Sequence, residues 1–184
     1  MPDTSRFLTA LRRVIRSLTG GRSSSGSTGA ADAPSRTSTA TGVLSPGQAG
    51  PDATVEVDPR TVRRVRLAYT PGPDGEPDPG EIVWTWVPYE EHDGRGKDRP
   101  VVIVAASGSG DFLALQLTSK PRNGDRDDVA LGVGGWDPQG RPSWARLDRV
   151  FRVRAGGMRR EAASLDAERY ARLAEALRAR YGWR

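Results

Sequence analysis

The 184-residue chain contains no cysteine, one histidine (His92) and only two lysines, Lys97 and Lys120. Without cysteine there is neither a disulfide framework nor a thiolate metal site. One histidine rules out a multi-histidine metal cluster, and a carboxylate site for magnesium has no motif behind it. Asp125, Asp127 and Asp128 lack the spacing of a calcium loop. The glycine-rich stretch 107–110 has no lysine after it and is no phosphate loop. No cofactor or metal is therefore expected. No apolar run is long enough to cross a bilayer, and arginines break up the apolar residues that a secretory signal would need. A reducing, cytoplasmic setting is the expectation.

What is abundant is arginine, which suits planar, bidentate contacts to phosphate. Residues 1–50 hold six arginines and two aspartates, whereas 51–184 hold 22 basic and 21 acidic residues. The overall charge of +5 is thus largely a property of the N-terminal segment. A nucleic-acid surface on the remainder must be a local patch.

Three regions follow from the pattern. Phe7, Leu8, Leu11, Val14, Ile15 and Leu18 recur at helical spacing, so 1–19 reads as a short basic amphipathic helix. Such a helix suits a membrane surface or a partner, and alone in water it is marginal. Residues 20–53 are rich in Gly, Ser, Thr, Ala and Pro, and read as a disordered linker. Residues 54–184 form the domain. Within 54–69, Asp58-Pro59 resembles a helix start, yet Val65, Leu67 and Tyr69 alternate as in a strand, and a strand is the expectation. Strands are expected at 81–87, 101–106, 112–118, 128–134 and 143–147, with 150–153 extending the last. Short strands at near-regular spacing predict a mainly β (α+β) domain built as a small barrel. Ser164 is the expected cap of a closing helix, with Leu165, Tyr170, Leu173, Ala174, Leu177 and Tyr181 on one face.

Chemistry gathers at the strand ends. Arg99-Pro100 opens one apolar run, Thr118-Ser119 closes another, and Arg146-Leu147-Asp148 closes a third. Scaffolds present reactive groups at such places. An arginine and a carboxylate near hydroxyls can move a proton and steady phosphate charge without a metal, which points to RNA cleavage. Arg146 and Asp148 lie two apart and share one strand face.

In this order, Gly80-Glu81-Ile82-Val83-Trp84, a glycine-bearing loop, Arg99-Pro100-Val101-Val102-Ile103-Val104, Leu117-Thr118-Ser119 and Arg146-Leu147-Asp148 resemble the toxins of MazF/PemK/Kid type II toxin–antitoxin pairs. The likeness covers roughly residues 80–178. It implies an SH3-like barrel, a homodimer, and a metal-independent endoribonuclease acting on single-stranded RNA and neutralised by an antitoxin protein. It assigns the base to Asp148, and the acid and charge-stabilising role to Arg146. An arginine is a poor acid, because its pKa lies above about 12, so charge stabilisation is the better-founded role. In the MazF branch Arg99 and Thr118 matter instead, with Ser119 as a phosphate or ribose contact. His92 falls near an orienting histidine of the Kid branch, one residue further from Arg-Pro, and Ser143 is a looser RNA contact.

Plainer readings stand beside these. Arg146 and Asp148 form a surface ion pair in one of them, and Arg99 pairs with Asp98 or Glu81. In the same reading Thr118-Ser119 is only a strand end, and Trp84 and Trp86 serve core or dimer packing. The competing function is a non-catalytic SH3-like module that holds nucleic acid or peptide in the same groove.

Overall fold

The computed structural model describes residues 44–73, 75–107, 109–122 and 126–184. The expected N-terminal helix (1–19) and most of the expected linker (20–43) lie outside the described residues. Among the described residues, seven strands and one α-helix follow in order: β1 (Val55–Val57), β2 (Glu81–Pro88), β3 (Gly96–Ala106), β4 (Asp111–Thr118), β5 (Asp128–Gly132), β6 (Ser143–Arg154), β7 (Arg159–Ser164) and α1 (Ala167–Tyr181). A single 3-10 turn, Ala155–Gly157, joins β6 to β7.

All strand pairs are antiparallel, in the order β1-β6-β4-β3-β2-β7. β5 pairs with the first half of β6, and β1 with its second half. Hydrogen bonding does not close the sheet into a ring: β7 is an open edge at one end, and β1 and β5 share the other. The expected barrel is corrected to an open antiparallel sheet.

Period-two alternation sends side chains into two cores. Val102, Val104, Leu115, Leu117, Ala145 and Leu147 pack beneath α1, against Leu173, Leu177 and Trp183. Val83, Val87, Val101, Ile103, Ala114, Phe151 and Val153 form the second core, on the opposite face. This double burial explains the unbroken apolar run of β3. Full burial of Leu173 and Leu177 contributes about 1.5–3 kcal/mol each.

The helix starts later than expected. Ser164 ends β7, and Asp166 is the cap, its carboxylate accepting from the Arg169 N–H at 2.8 Å. Gly182, at φ = 68°, ends the helix in the left-handed conformation that glycine tolerates. Tyr170 and Tyr181 fasten α1 to the sheet through hydroxyls donated to Val104 O and Leu147 O, each at 2.7 Å.

Two further expectations change. Residues 44–53 were assigned to linker by composition, yet they lie against β2: Trp86 donates its N–H to Pro46 O at 3.0 Å. Gly47, at φ = 78°, sits where a Cβ would collide with the hydroxyls of Thr54 and Thr85. Here the glycine and proline are turn residues of a packed strap. Asp58-Pro59 starts a turn rather than a helix, with Thr61 N bonded to Asp58 O at 3.0 Å. Val65 and Leu67 are buried as their alternation predicts, but the segment joins no sheet. Its backbone pairs with Arg184 instead, beside the end of α1.

Candidate active site

The site is built on an irregularity in β6. Leu115 of β4 lies opposite Val150, while Leu117 lies opposite Ala145. Two steps along β4 therefore match five along β6, and the surplus residues include Arg146, Asp148 and Arg149. Such bulges bend a strand and re-aim its side chains. Arg146 and Asp148 share a face by ordinary alternation. Arg149, one residue later, would otherwise follow Leu147 toward the core beneath α1. Instead its guanidinium lies over the Phe151 ring, 4.9 Å from the centroid.

Arg146 is almost fully buried and forks onto Asp148, with Nε–Oδ1 at 3.1 Å and Nη2–Oδ2 at 2.7 Å. Its remaining arm donates from Nη1 to Glu90 Oε1 at 2.6 Å. Arg122 closes the ring, donating to Asp148 Oδ2 and to Glu90 Oε1, each at 3.1 Å. Two guanidiniums thus alternate with two carboxylates. Arg149 is held separately, donating to Glu56 Oε1 at 2.9 Å, Glu56 Oε2 at 2.5 Å, Pro88 O at 2.9 Å and Gln116 Oε1 at 3.2 Å.

Charge pairing sets the protonation states. Burial alone would raise the Asp148 carboxyl, but the hydrogen bonds and charge of Arg146, with the charge of Arg122, hold it below its ordinary value. Glu90 is lowered chiefly by its hydrogen bond from Arg146. Burial opposes the charge on Arg146, yet Asp148 and Glu90 overcome it and push its pKa further up. Glu56 is lowered in the same way as Asp148, with Arg149 overcoming burial.

Arg99 connects two hollows. One, of about 550 Å³, is lined by Tyr89, Glu90, Arg99, Gln116, Arg146 and Arg149 among others. The other, of about 470 Å³, includes Arg99, Thr118, Ser119, Trp84, Trp136 and Ser143. Arg99 makes no side-chain hydrogen bond or ion pair among the described residues. Asp98 and Glu81, its suggested partners, are taken by Arg159 and Arg160.

The expected residues are therefore only partly gathered. Arg146 and Arg99 meet around the first hollow, with Asp148 held behind Arg146 by the fork, and Arg99, Thr118, Ser119 and Ser143 meet around the second. Thr118 Oγ1 accepts from Lys120 N at 3.1 Å, which ties the turn after β4. The Ser143 hydroxyl is buried and accepts from Trp136 Nε1 at 3.1 Å. His92 lines neither hollow. It sits exposed at φ = 51°, and its Nε2 is 3.1 Å from Glu56 Oε2. Trp84 and Trp86 lie on the half-exposed face of β2 rather than in a core. Glu56, Glu90, Arg122 and Arg149 escaped the sequence reading as site residues. The sequence signal for one of them is the acidic loop that holds Glu90, Glu91 and Asp93.

Residues 78–180 match the family model of the PemK-like, MazF-like toxins of type II toxin–antitoxin systems. The chain belongs to this family. Among curated proteins no sequence match is found. The toxin domain is similar to MazF of Deinococcus radiodurans at 22% identity, over 58% of this chain and 97% of that one, with a TM-score of 0.45. It is also similar to the Mycobacterium tuberculosis toxin MazF-mt6 at 20% identity, over 55% and 98% of the two chains, with a TM-score of 0.42. Glu56, which holds Arg149, lies outside the matched span, so a segment ahead of the toxin domain completes this chain's site. No helix among the described residues is long and apolar enough to cross a membrane.

Proposed function

We propose that this toxin cleaves single-stranded RNA without a metal ion, by attack of a 2′-hydroxyl on its neighbouring phosphorus, and that an antitoxin controls it by covering the same groove. The observation that carries this reading is that Arg146, forked onto Asp148, lines one hollow together with the unpaired Arg99. The ionised Asp148 accepts the 2′-hydroxyl proton as the 2′-oxygen bonds to phosphorus. The bond to the 5′-oxygen breaks, leaving a 2′,3′-cyclic phosphate, and water in the open hollow protonates the departing oxygen. Arg146 remains a cation throughout and, with Arg99, steadies the charge on the pentacoordinate phosphorus. Its raised pKa favours this role over proton donation. Glu90 occupies the arm of Arg146 that a phosphate would need. It is the most exposed member of the ring, so it is the one a substrate displaces.

Thr118, Ser119 and Ser143 line the second hollow, which suits the next nucleotide, with Trp84 and Trp136 available to its base. His92 acts indirectly, through Glu56. Family resemblance supports a homodimer, which sedimentation of the purified chain would test.

The test is cleavage of a mixed single-stranded RNA in EDTA. The native chain should yield fragments with 5′-hydroxyl ends, and the Arg146→Ala/Asp148→Ala double variant should yield none. Unchanged cutting by that variant refutes the site. The alternative, a non-catalytic binding module, draws support from the neutralised ring, since two arginines make Asp148 a weak base. Tight RNA binding by the native chain without fragments would select it.

A further inference from the structure

A second arginine cluster lies wholly outside the residues of the toxin-family match. Arg60, Arg63, Arg64 and Arg66 project from the irregular segment after β1, and Arg184 follows α1. Together they border a hollow of about 660 Å³ whose floor includes Tyr181 and Trp183. No acidic side chain lines it. All five arginines are exposed, and none makes a side-chain hydrogen bond or ion pair among the described residues. Trp183, although 5% exposed, has a buried indole N–H with no partner. Arg64 holds φ = 57°, a left-handed conformation that costs a non-glycine residue about 1 kcal/mol or more.

We infer that this hollow is a second RNA-binding site, which grips the sugar–phosphate backbone of the strand being cut, outside the cleavage centre. Five unanswered guanidiniums suit a polyanion with closely spaced phosphates. Beneath them Tyr181 and the buried Trp183 pack on each other at 5.4 Å and hold the base of the hollow in place. The hollow is tied to the cleavage site at two points. Glu56, which holds Arg149, is four residues from Arg60, a reach of at most about 14 Å of extended chain. Tyr181 donates to the carbonyl of Leu147, between Arg146 and Asp148. A single strand of about 20 nucleotides, at about 3.4 Å each, is longer than a domain of this size is wide, so one strand can engage both places. RNA is favoured over an acidic protein segment because the strand being cut already lies on this domain.

The inference rests on RNA being the substrate, so its test reads binding apart from cleavage. The full chain and its Arg60→Gln/Arg63→Gln/Arg66→Gln variant are titrated with 2′-O-methyl RNA, which offers no nucleophile, across a range of salt. For an oligomer of about 20 nucleotides, the slope of log affinity against log salt should become shallower by about 2, or about 0.7 per lost phosphate contact. An oligomer of about four nucleotides, which fills only the cleavage site, should bind both proteins alike. The corresponding triple lysine variant should keep most of the slope, and thermal unfolding confirms that each variant is folded. An unchanged slope with the long oligomer overturns the inference. So does an unchanged slope combined with lost binding of an oligoglutamate peptide, which reassigns the hollow to an acidic protein. If the slope falls but the native chain cuts no RNA, the hollow stands and the nuclease reading fails. If the native chain cuts and the slope holds, the reverse is true.

Discussion

Two sets of arginines on this protein live in opposite circumstances. On the bulged face of β6, Arg146, Arg149 and the neighbouring Arg122 are each answered by carboxylates at 2.5–3.1 Å. In the hollow between residues 60–66 and 181–184, no carboxylate side chain answers any of the five. The first set is held in fixed directions, as chemistry at a phosphate requires. The second is free to attract and to slide, as backbone contacts do. On the proposed readings, a guanidinium serves geometry where it is paired, and affinity where it is not.

The sharpest way to break this comparison is through rate. Asp148→Asn removes the base and half of the fork on Arg146, and should lower kcat on a short RNA by about 10²–10⁴-fold. The triple glutamine variant of the hollow should leave kcat on that short RNA unchanged. Single-turnover cleavage measures both. Comparable losses in the two variants would erase the distinction.

Stability should separate the sets next. Arg149→Met leaves Glu56 without its guanidinium partner, with only the exposed His92 beside it. Losing one member of a buried pair costs about 3–5 kcal/mol, but Glu56 keeps 22% of its side-chain exposure. A loss of about 2 kcal/mol in urea unfolding is therefore expected, and Glu56→Gln in the same background should recover part of it. The pH dependence has a definite sign. Glu56 and Asp148 have folded pKa values below their unfolded ones. Their contribution is fully present above the unfolded values near pH 4–4.5 and is lost as pH falls through the lowered ones. Acid unfolding should show this, and the Glu56→Gln variant should flatten it.

Glu90 offers a smaller effect. Its Glu90→Gln change removes the charged competitor on Arg146 while leaving the Asp148 fork. Exposed pairs are worth about 0.2–1 kcal/mol, so KM for RNA should fall by about two- to fivefold at most, with kcat little altered. A rise in KM would mean that Glu90 contacts substrate rather than yielding to it.

The difference between the two sets also explains what the sequence could reveal. β2 and β3 were legible from their β-branched residues, and β4 from its apolar run Phe112–Leu115 and Leu117, bounded by turn residues. The bulge was half legible: the apolar pattern lapses at Asp148-Arg149, between 143–147 and the 150–153 extension that together form one strand, Ser143–Arg154. β7 was illegible, since its residues 159–164 have no β-branched member and pair only because β2 offers them an edge. The Arg146–Asp148 fork could be read because its members are two apart. Glu90 is 56 positions from Arg146 and Glu56 is 93 from Arg149, so folding alone brings them together. The second hollow escaped for a related reason. Its arginines were visible as charge, but only the pairing of Arg184 with Val65 and Leu67 collects them around one cavity.

The smallest expected effect tests the unpaired set by itself. Substituting glutamine at Arg60, Arg63 and Arg66 removes no contact that the fold uses, so stability should stay within about 0.5 kcal/mol of the native chain. The sign should be positive. Clustered like charges repel one another, and thinning them relieves the folded state. At an ionic strength of about 0.01 M the screening length is about 30 Å, and at 1 M about 3 Å. The gain in unfolding midpoint should therefore appear at low salt and vanish at high salt. A loss of stability that salt does not alter would mean that these arginines pack the fold, and that the hollow belongs with the paired set.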